Sequence, residues 1–253
     1  MLVLASASPR RRELLTQAGF TFHVHPANIP EDPHPTEDPI AYVTRLAREK
    51  AQAVFADLTQ NPVQFVGSKA LYQAATSQIA AKIGADDVLY QGTTSVVPQG
   101  PQNEDWALAP EGCSPEVLGG TPAGLPRASA ALQVLGADTT VTLDNQILGK
   151  PENAADAARM LRLLSGRTHS VITGVAVVTA TRTEVAAEVT GVQFLTLSDE
   201  EIAAYIATGE PMDKAGAYAI QGRAARWIPR IQGDYFNVVG LPISLVSTLL
   251  ESR

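Results

Sequence analysis

The stretch Leu2-Val-Leu-Ala-Ser-Ala-Ser-Pro-Arg-Arg-Arg12 decides how this chain begins to fold. Residues 2–5 form a short apolar run, which is typical of a buried strand. Ser8 and Pro9 then predict a helix start, because serine is a preferred N-cap residue and proline is favoured at the first helical position. A strand that leads directly into a helix is characteristic of α/β folds.

The three arginines of this stretch lie where a helix dipole is already positive. Each cation there costs a few tenths of a kcal/mol unless an anion neutralises it. A bound phosphate would accept hydrogen bonds from the backbone, from Ser6 and Ser8, and from the side chains of Arg10 and Arg11. The stretch therefore predicts a phosphate site, although arginines that extend into water or pair with Glu13 would explain it equally well.

Strands and helices alternate along much of the remaining chain. The patterns predict strands at 21–25, 134–138, 168–180, 183–197, 227–231 and 235–239. They predict helices from 38 to about 58, at 154–164, from 198 to 209, and from 242 onwards. We expect a hairpin turn near Asp144 and Asn145. This order predicts an α/β protein with a mixed, twisted sheet.

One segment departs from this pattern. From about residue 61 to 126 the chain is rich in Gly, Pro, Gln, Ser and Thr, with one predicted helix at 68–84. We therefore expect a single domain over residues 1–253, interrupted by an irregular insertion at 57–132.

The composition excludes several classes of function. A net charge of −7 opposes binding to DNA or RNA, because no excess of positive charge is available to displace counterions. No run approaches the roughly 20 apolar residues of a membrane helix. Cys113 is the single cysteine and cannot form an internal disulfide, which favours a cytoplasmic location. We expect neither a nucleic acid nor a membrane as partner.

Four further residues suggest chemistry on phosphates. Asp138 follows a predicted strand, where an open α/β sheet places catalytic groups, so it is a candidate metal ligand or general base. With Glu31, Lys50 and Lys150 it would supply what metal-assisted attack on a phosphoanhydride needs. Each has a simpler explanation: Asp138 as a turn residue, Lys50 as a partner of Glu49, and Lys150 as part of the turn before Pro151.

Several blocks of the sequence resemble the Maf (septum-formation) family, in family order and everywhere except roughly 57–132. They are Ala5-Ser-Ala-Ser-Pro-Arg-Arg-Arg-Glu-Leu-Leu15, Tyr42-Val-Thr-Arg-Leu-Ala-Arg-Glu-Lys-Ala51, Leu135-Gly-Ala-Asp-Thr139, Leu148-Gly-Lys-Pro151, Leu164-Ser-Gly-Arg-Thr-His169, Pro211-Met-Asp-Lys-Ala-Gly-Ala-Tyr-Ala-Ile-Gln-Gly222 and Gly233-Asp-Tyr-Phe-Asn-Val-Val-Gly-Leu-Pro242. A second aspartate, in Ile83-Gly-Ala-Asp86, mimics Asp138 but lacks the strand and the lysine that follow.

The resemblance implies an ITPase-like fold of two lobes with a central cleft, and usually a homodimer. It implies hydrolysis of dTTP or UTP to the monophosphate and pyrophosphate with a divalent cation, Mg²⁺ or Mn²⁺. Asp138 would then be the proton acceptor and, with Glu31, a metal ligand. Arg10, Thr139 and Gln221 would govern substrate choice, while Ser6, Glu31, Lys50 and Lys150 would line the triphosphate and metal site.

Two alternatives remain open from the sequence. One is a non-catalytic, nucleotide-binding regulator of cell division, which the long separation of Lys50 and Asp138 keeps in play. The other is a house-cleaning hydrolase directed at purine nucleotides. Release of pyrophosphate from a panel of nucleoside triphosphates would separate the three.

Overall fold

A computed structural model describes residues 1–61 and 132–251. Seven strands form one sheet: β1 (Leu2–Leu4), β2 (Phe22–Val24), β3 (Gln133–Leu143), β4 (Gln146–Leu148), β5 (Thr168–Val178), β6 (Thr183–Gln193) and β7 (Arg230–Gln232). Their order is β2-β1-β3-β5-β6-β7, with β4 also paired to β3. β1 is parallel to β2 and β3, whereas the other pairs are antiparallel. The predicted mixed α/β sheet is confirmed.

The helices begin close to the predicted positions. They are α1 (Pro9–Gln17), α2 (Pro39–Gln60), α3 (Ala154–Leu164), α4 (Asp199–Ile206), α5 (Tyr235–Val239) and α6 (Ile243–Glu251), with 3-10 turns at Glu210–Asp213, Ala215–Ala217 and Arg223–Trp227. Asp38, Asn153 and Ser198 cap α2, α3 and α4 with their side chains, and Ser198 forms a capping box with Glu201.

One predicted strand near the C-terminus is wrong, and another begins later than predicted. Residues 235–239 form helix α5, because Asp234 caps Phe236 N and Gly240 ends the helix with a φ of 126°. Trp227 belongs to a 3-10 turn, and the strand begins only at Arg230. A short apolar run cannot distinguish strand from helix by periodicity alone.

The strand that carries Asp138 is longer than predicted. The sequence pattern predicts that it stops at the polar residues that begin with Asp138, but β3 continues to Leu143 and pairs with β5 as far as Thr142. The continuation Thr139-Thr-Val-Thr142 is β-branched throughout and therefore suits a strand. Asp138 consequently lies in the middle of a strand and not at its end.

Two hydrophobic clusters pack at the two ends of β3 and β5. One gathers α1, α5 and α6 around one end of the strands: Leu2, Leu4, Leu14, Leu15, Leu135, Ala137, Val175, Val177, Val239, Leu241 and Val246. The other joins α3, α4 and the 215–227 segment to the opposite end: Val141, Leu143, Leu148, Ala157, Met160, Leu161, Leu164, Val171, Val192, Phe194, Leu197, Ile202, Tyr205, Ala217, Tyr218, Ala224 and Trp227.

Helix α2 crosses the sheet at two glycines. A Cβ at Gly136 would lie 2.0 Å from Ala47 O, and one at Gly174 would lie 2.3 Å from Val43 O. Only glycine permits so close an approach of helix backbone to strand. Gly136 and Asp138 share a strand face because side chains repeat every two residues. The contact therefore brings the face of Asp138 against α2.

Several expectations lie outside the described residues: the helix at 68–84, Asp86, Cys113, and all of the predicted insertion except 57–61 and 132, of which 57–60 form the last turn of α2. Among the residues that are described, no helix has both the length and the apolar character needed to span a membrane.

Candidate active site

A pocket of about 530 Å³ opens where β1 gives way to α1. All the residues singled out from the sequence as site residues line it: Ser6, Ser8, Arg10, Arg11, Glu31, Lys50, Asp138, Thr139, Lys150 and Gln221. They come from separate parts of the described chain, so the fold brings together what the sequence keeps apart.

A gap in the sheet explains the position of the pocket. β5 occupies one edge of β3, while β1 pairs with residues 133–135 and β4 with residues 141–143 on the other edge. In the described part of the chain, no strand pairs with residues 136–140 on that second edge. Asp138 and Thr139 lie beside this gap, and their side chains point to opposite faces of the sheet. One pocket can therefore reach both.

Asp138 and Glu31 share a single lysine. Lys50 Nζ lies 2.7 Å from Asp138 Oδ1 and 2.7 Å from Glu31 Oε1. Lys50 and Asp138 are buried, at 6% and 8% exposure, whereas the Glu31 side chain is half exposed. The ion pair to Asp138 therefore lies at the base of the pocket, with Glu31 on its solvent side.

Burial shifts the acidity of these carboxyl groups. Burial raises the pKa of Asp138 above its ordinary value, although the charges of Lys50 and Arg11 oppose this. For Glu31 burial also acts to raise the pKa, but the hydrogen bond and charge of Lys50, with the charges of Lys150 and Arg11, outweigh it and lower the pKa. The pKa values of the two carboxyl groups are thus shifted in opposite directions, that of Asp138 upward and that of Glu31 downward.

Helix α2 holds the loop that carries Glu31. Tyr42 Oη donates to Glu31 O at 2.8 Å, and Arg45 Nη2 donates to Asp32 O at 3.2 Å. Arg45 also donates to both carboxylate oxygens of Glu37, at 2.7 and 2.8 Å, and this hydrogen bonding lowers the pKa of Glu37 to about 2. The loop is therefore fixed at Glu31 and on the C-terminal side of it.

The neighbouring arginines of α1 differ in their contacts. The guanidinium of Arg11 donates to Gly240 O (2.8 Å), Ser6 Oγ (3.0 Å), Ala137 O (3.0 Å) and Thr139 Oγ1 (2.9 Å). Its bond to Ala137 O lies in the gap between β1 and β4. Arg10 and Lys150 line the pocket without an ion-pair partner within 4 Å in the described ranges. These two cations remain available to an anion.

The N-terminus of α1 has backbone donors to spare. Ser8 occupies the N-cap position, as predicted, but its side chain makes no capping hydrogen bond. Because Pro9 has no N–H, the first backbone donors of the helix belong to Arg10 and Arg11. Both residues line the pocket.

Sequence reasoning missed several pocket residues. Asp213 and Lys214 line it and form an ion pair with each other. Their Asp-Lys sequence lies in a block that the resemblance singled out, and two adjacent residues of opposite charge within that block could have marked them. Gly240 could not have been found, because its role is played by a backbone carbonyl.

The donor set for a metal is small. The carboxylates of Glu31 and Asp138 converge on one position, because both contact Lys50 Nζ. Within residues 1–61 and 132–251, no group of three or more Asp, Glu, His or Cys side chains is arranged to hold a metal ion. A cation here would depend on two carboxylates together with ligands from a substrate.

Comparison with known proteins places these features in context. A family model described as Maf-like protein matches residues 1–109 and 116–253. The dTTP/UTP pyrophosphatase of Koribacter versatilis is 41% identical over 250 residues, covering 99% of this chain and 93% of the relative. The dTTP/UTP pyrophosphatase of Moorella thermoacetica is 41% identical over 251 residues, covering 98% and 93%. That of Geobacter sulfurreducens is 41% identical over 244 residues, covering 96% and 91%.

Proposed function

This chain belongs to the Maf family, and we propose that it is a nucleoside triphosphate pyrophosphatase, which converts dTTP and UTP to the nucleoside monophosphate and pyrophosphate. The observation that carries the proposal is one pocket in which a helix N-terminus and two unpaired cations lie beside a buried carboxylate. We infer that this pocket is the central cleft of a two-lobed, ITPase-like fold. The hydrophobic clusters at the two ends of β3 and β5 support that inference.

The phosphates bind at the start of α1. The uncapped backbone N–H groups of Arg10 and Arg11 donate to phosphate oxygens, and the helix dipole favours negative charge at this end. Ser6 and Ser8 add hydroxyl groups, while Arg10 and Lys150 supply positive charge, since neither makes an ion pair within 4 Å among the described residues. The side chain of Arg11 supports these groups through its hydrogen bonds to Ser6 and Thr139.

The residues present fit a divalent cation. Mg²⁺ prefers oxygen ligands and commonly binds through one or two carboxylates together with substrate phosphates. Glu31 and Asp138 would hold Mg²⁺ or Mn²⁺, and the lowered pKa of Glu31 keeps its carboxylate ionised. When bound, the cation neutralises phosphate charge as a Lewis acid.

Asp138 performs the proton transfer. Its carboxylate accepts a proton from the water that attacks the α-phosphorus, and the raised pKa makes it a better base than an exposed aspartate. The bond between the α-phosphorus and the bridging oxygen breaks, and pyrophosphate leaves. Lys50 keeps Asp138 oriented, and Arg10 and Lys150 stabilise the charge on the leaving group.

Gln221 recognises the nucleobase. Gln221 is exposed and lines it, and its amide offers both a donor and an acceptor. The O4 and N3–H groups of uracil and thymine present the complementary pair. Thr139 and Arg10 complete the set that governs substrate choice. We propose that the protein acts in the cytoplasm as a homodimer, which light scattering after gel filtration would test.

The deciding experiment measures products as well as rates. With Mg²⁺ or Mn²⁺, purified protein should release pyrophosphate from dTTP and UTP in preference to CTP, ATP and GTP. In water labelled with oxygen-18, the label should enter the monophosphate, because attack is at the α-phosphorus. Orthophosphate as first product, label in pyrophosphate, or equal turnover of purines would each refute the proposal.

A further inference from the structure

Two threonines interrupt the hydrophobic interior where the two clusters meet. Thr139 on β3 lies directly opposite Thr173 on β5, and their Oγ1 atoms are 3.0 Å apart. On the strand face they share, apolar residues flank both positions. Thr139 lines the pocket, whereas Thr173 is 0% exposed and is not among the lining residues. A buried hydroxyl at this point needs a reason beyond packing.

The hydrogen bonds of this pair have a single direction. Arg11 can only donate, so Thr139 Oγ1 accepts from Arg11 Nη2 at 2.9 Å. Thr173 Oγ1 donates its one proton to Asn237 O at 3.1 Å. Thr139 must therefore donate to Thr173, since its other acceptor, Gly240 O, is more distant at 3.4 Å.

Helix α5 completes a ring of hydrogen bonds. Asn237 is fully buried, and its Nδ2 donates to Val171 O at 3.0 Å and to Thr190 Oγ1 at 2.9 Å. These bonds hold α5 against β5 and β6. The carbonyl oxygen of Gly240, the residue after α5, accepts a hydrogen bond from Arg11 Nε at 2.8 Å. The hydrogen bonds thus form a closed ring, which runs from Arg11 through Thr139, Thr173, α5 and Gly240 back to Arg11.

We propose that Thr173 is a positioning residue for the pocket: its hydroxyl, held by α5, fixes Thr139 and through it Arg11. Thr173 is too deeply buried to meet a substrate, so it acts only through its neighbours. Arg11 in turn donates hydrogen bonds to Ser6 Oγ and to the carbonyl oxygen of Ala137, the residue before Asp138. This ring of hydrogen bonds therefore connects Ser6, which precedes α1, to β3, the strand that carries the proposed general base Asp138. This inference rests on the proposed hydrolysis only for its kinetic readout.

The test compares variants that differ in the hydroxyl group. Thr173→Val keeps the shape and removes the hydroxyl; Thr173→Ser keeps the hydroxyl and removes a methyl; Thr173→Ala removes both. Every variant should lose some stability, Val because Asn237 O is left without its donor and Ser because a small cavity forms. Stability alone therefore does not separate the variants, and the Ser and Ala pair isolates the hydroxyl if Val does not fold.

Catalysis should follow the hydroxyl. With folding verified by circular dichroism at the assay temperature, Val and Ala should lower kcat/KM for dTTP roughly tenfold, the scale of one lost hydrogen bond. Ser should stay within about twofold of wild type. Wild-type kcat/KM in Val or Ala, or a loss in Ser as large as in Ala, would overturn the proposal.

A second readout does not depend on turnover. The Nε–H resonance of Arg11, assigned through its loss in Arg11→Lys, should exchange slowly with water in wild type and in Thr173→Ser. It should exchange at least several-fold faster in Thr173→Val and Thr173→Ala. Equal exchange in all forms would refute the positioning role even if the wild type proved inactive on every nucleotide, an outcome that would count against the proposed function alone.

Discussion

At the scale of single residues, Asp138 is a carboxylate on which burial and charge act in opposite directions. Burial raises its pKa while Lys50 and Arg11 lower it, and burial prevails. A proton acceptor needs this balance, because a carboxylate stabilised too strongly as an anion would be a poor base. Lys50, which bonds both Asp138 and Glu31, keeps the buried charge compensated.

We expect Asp138→Asn to abolish hydrolysis while nucleotide binding persists. Asparagine preserves the size of the side chain and an oxygen for Lys50, but it cannot take a proton. The rate should fall by about 10²–10⁴, the usual contribution of a general base. Binding measured by calorimetry should be retained, since a negative charge near the phosphates is removed. An active Asp138→Asn enzyme would overturn the mechanism.

Asp86→Asn is the matched control, because Ile83-Gly-Ala-Asp86 mimics Leu135-Gly-Ala-Asp138 in sequence. It should alter neither turnover nor binding. Loss of activity in this variant with full activity in Asp138→Asn would exchange the roles of the two aspartates.

Arg10 and Arg11 should respond differently to truncation. Arg11→Ala deprives Gly240 O and Ala137 O of their donors and should cost about 1–3 kcal/mol of unfolding free energy. Arg10→Ala removes an unpaired cation from a helix N-terminus, so stability should stay within roughly 0.5 kcal/mol or rise slightly. Urea denaturation measures both, and a larger loss for Arg10→Ala would contradict this assignment.

Sequence alone could not separate these two arginines. Both belong to one run of identical residues, and which of them faces the sheet depends on the rotation of α1 about its axis. Successive helical residues point about 100° apart, and Leu14 and Leu15, which lie one turn after Arg10 and Arg11, are both apolar, so the sequence pattern does not show which arginine faces the sheet. The run itself predicts a phosphate site, which stays a prediction, but it does not predict the different contacts that its two arginines make.

At the scale of elements, the contact of α2 with the sheet determines where Lys50 lies relative to Asp138. Lys50 lies on α2, and Gly136 and Gly174 let the helix backbone approach β3 and β5 closely. Neither glycine has a positive φ, so space and not backbone conformation requires them. A shift of α2 would change the distance from Lys50 to Asp138 directly.

We therefore expect Gly174→Ala to impair both folding and hydrolysis. Its Cβ would meet Val43 O at 2.3 Å, and the helix must move to make room. Overpacking of this kind costs about 1–3 kcal/mol, and kcat should fall in the protein that remains folded. Gly149→Ala is the control for stability, because no atom lies within 4 Å of its added Cβ. Equal melting temperatures for the two variants would refute the packing argument.

The elements were predictable in proportion to the strength of their local cues. Asp38, Asn153 and Ser198 marked three helix starts correctly, since a capping side chain acts within its own turn. The prediction of a strand at 235–239 was wrong, although Asp234 and Gly240 are local cues to a helix start and end, because a short apolar run fits a strand or a helix. The hydrogen bonds that hold Asn237 to β5 and β6 connect residues far apart in sequence. Contacts of that kind leave no local pattern.

At the scale of the whole molecule, the described residues form a connected frame. β1 pairs with β3 from Leu2 to Leu4, and α2 packs on β3 and β5. Residues before position 61 and after position 132 are thus held together by sheet pairing and helix packing. The sequence predicted which residues would share a site, but not that the site would open through a gap between β1 and β4.

This frame leads to a prediction about the segment that separates its two parts, which we expect to be an insertion. Replacing residues 62–128 by a short Gly/Ser linker should leave a folded protein, because the cost of closing a loop depends only weakly on its length. The melting transition should stay cooperative, and dTTP hydrolysis should persist if the segment is peripheral. A folded but inactive protein would show that the segment contributes to the site or to assembly. Failure to fold would refute the view that it is an insertion, since α2 and β3 would then need it to reach their places.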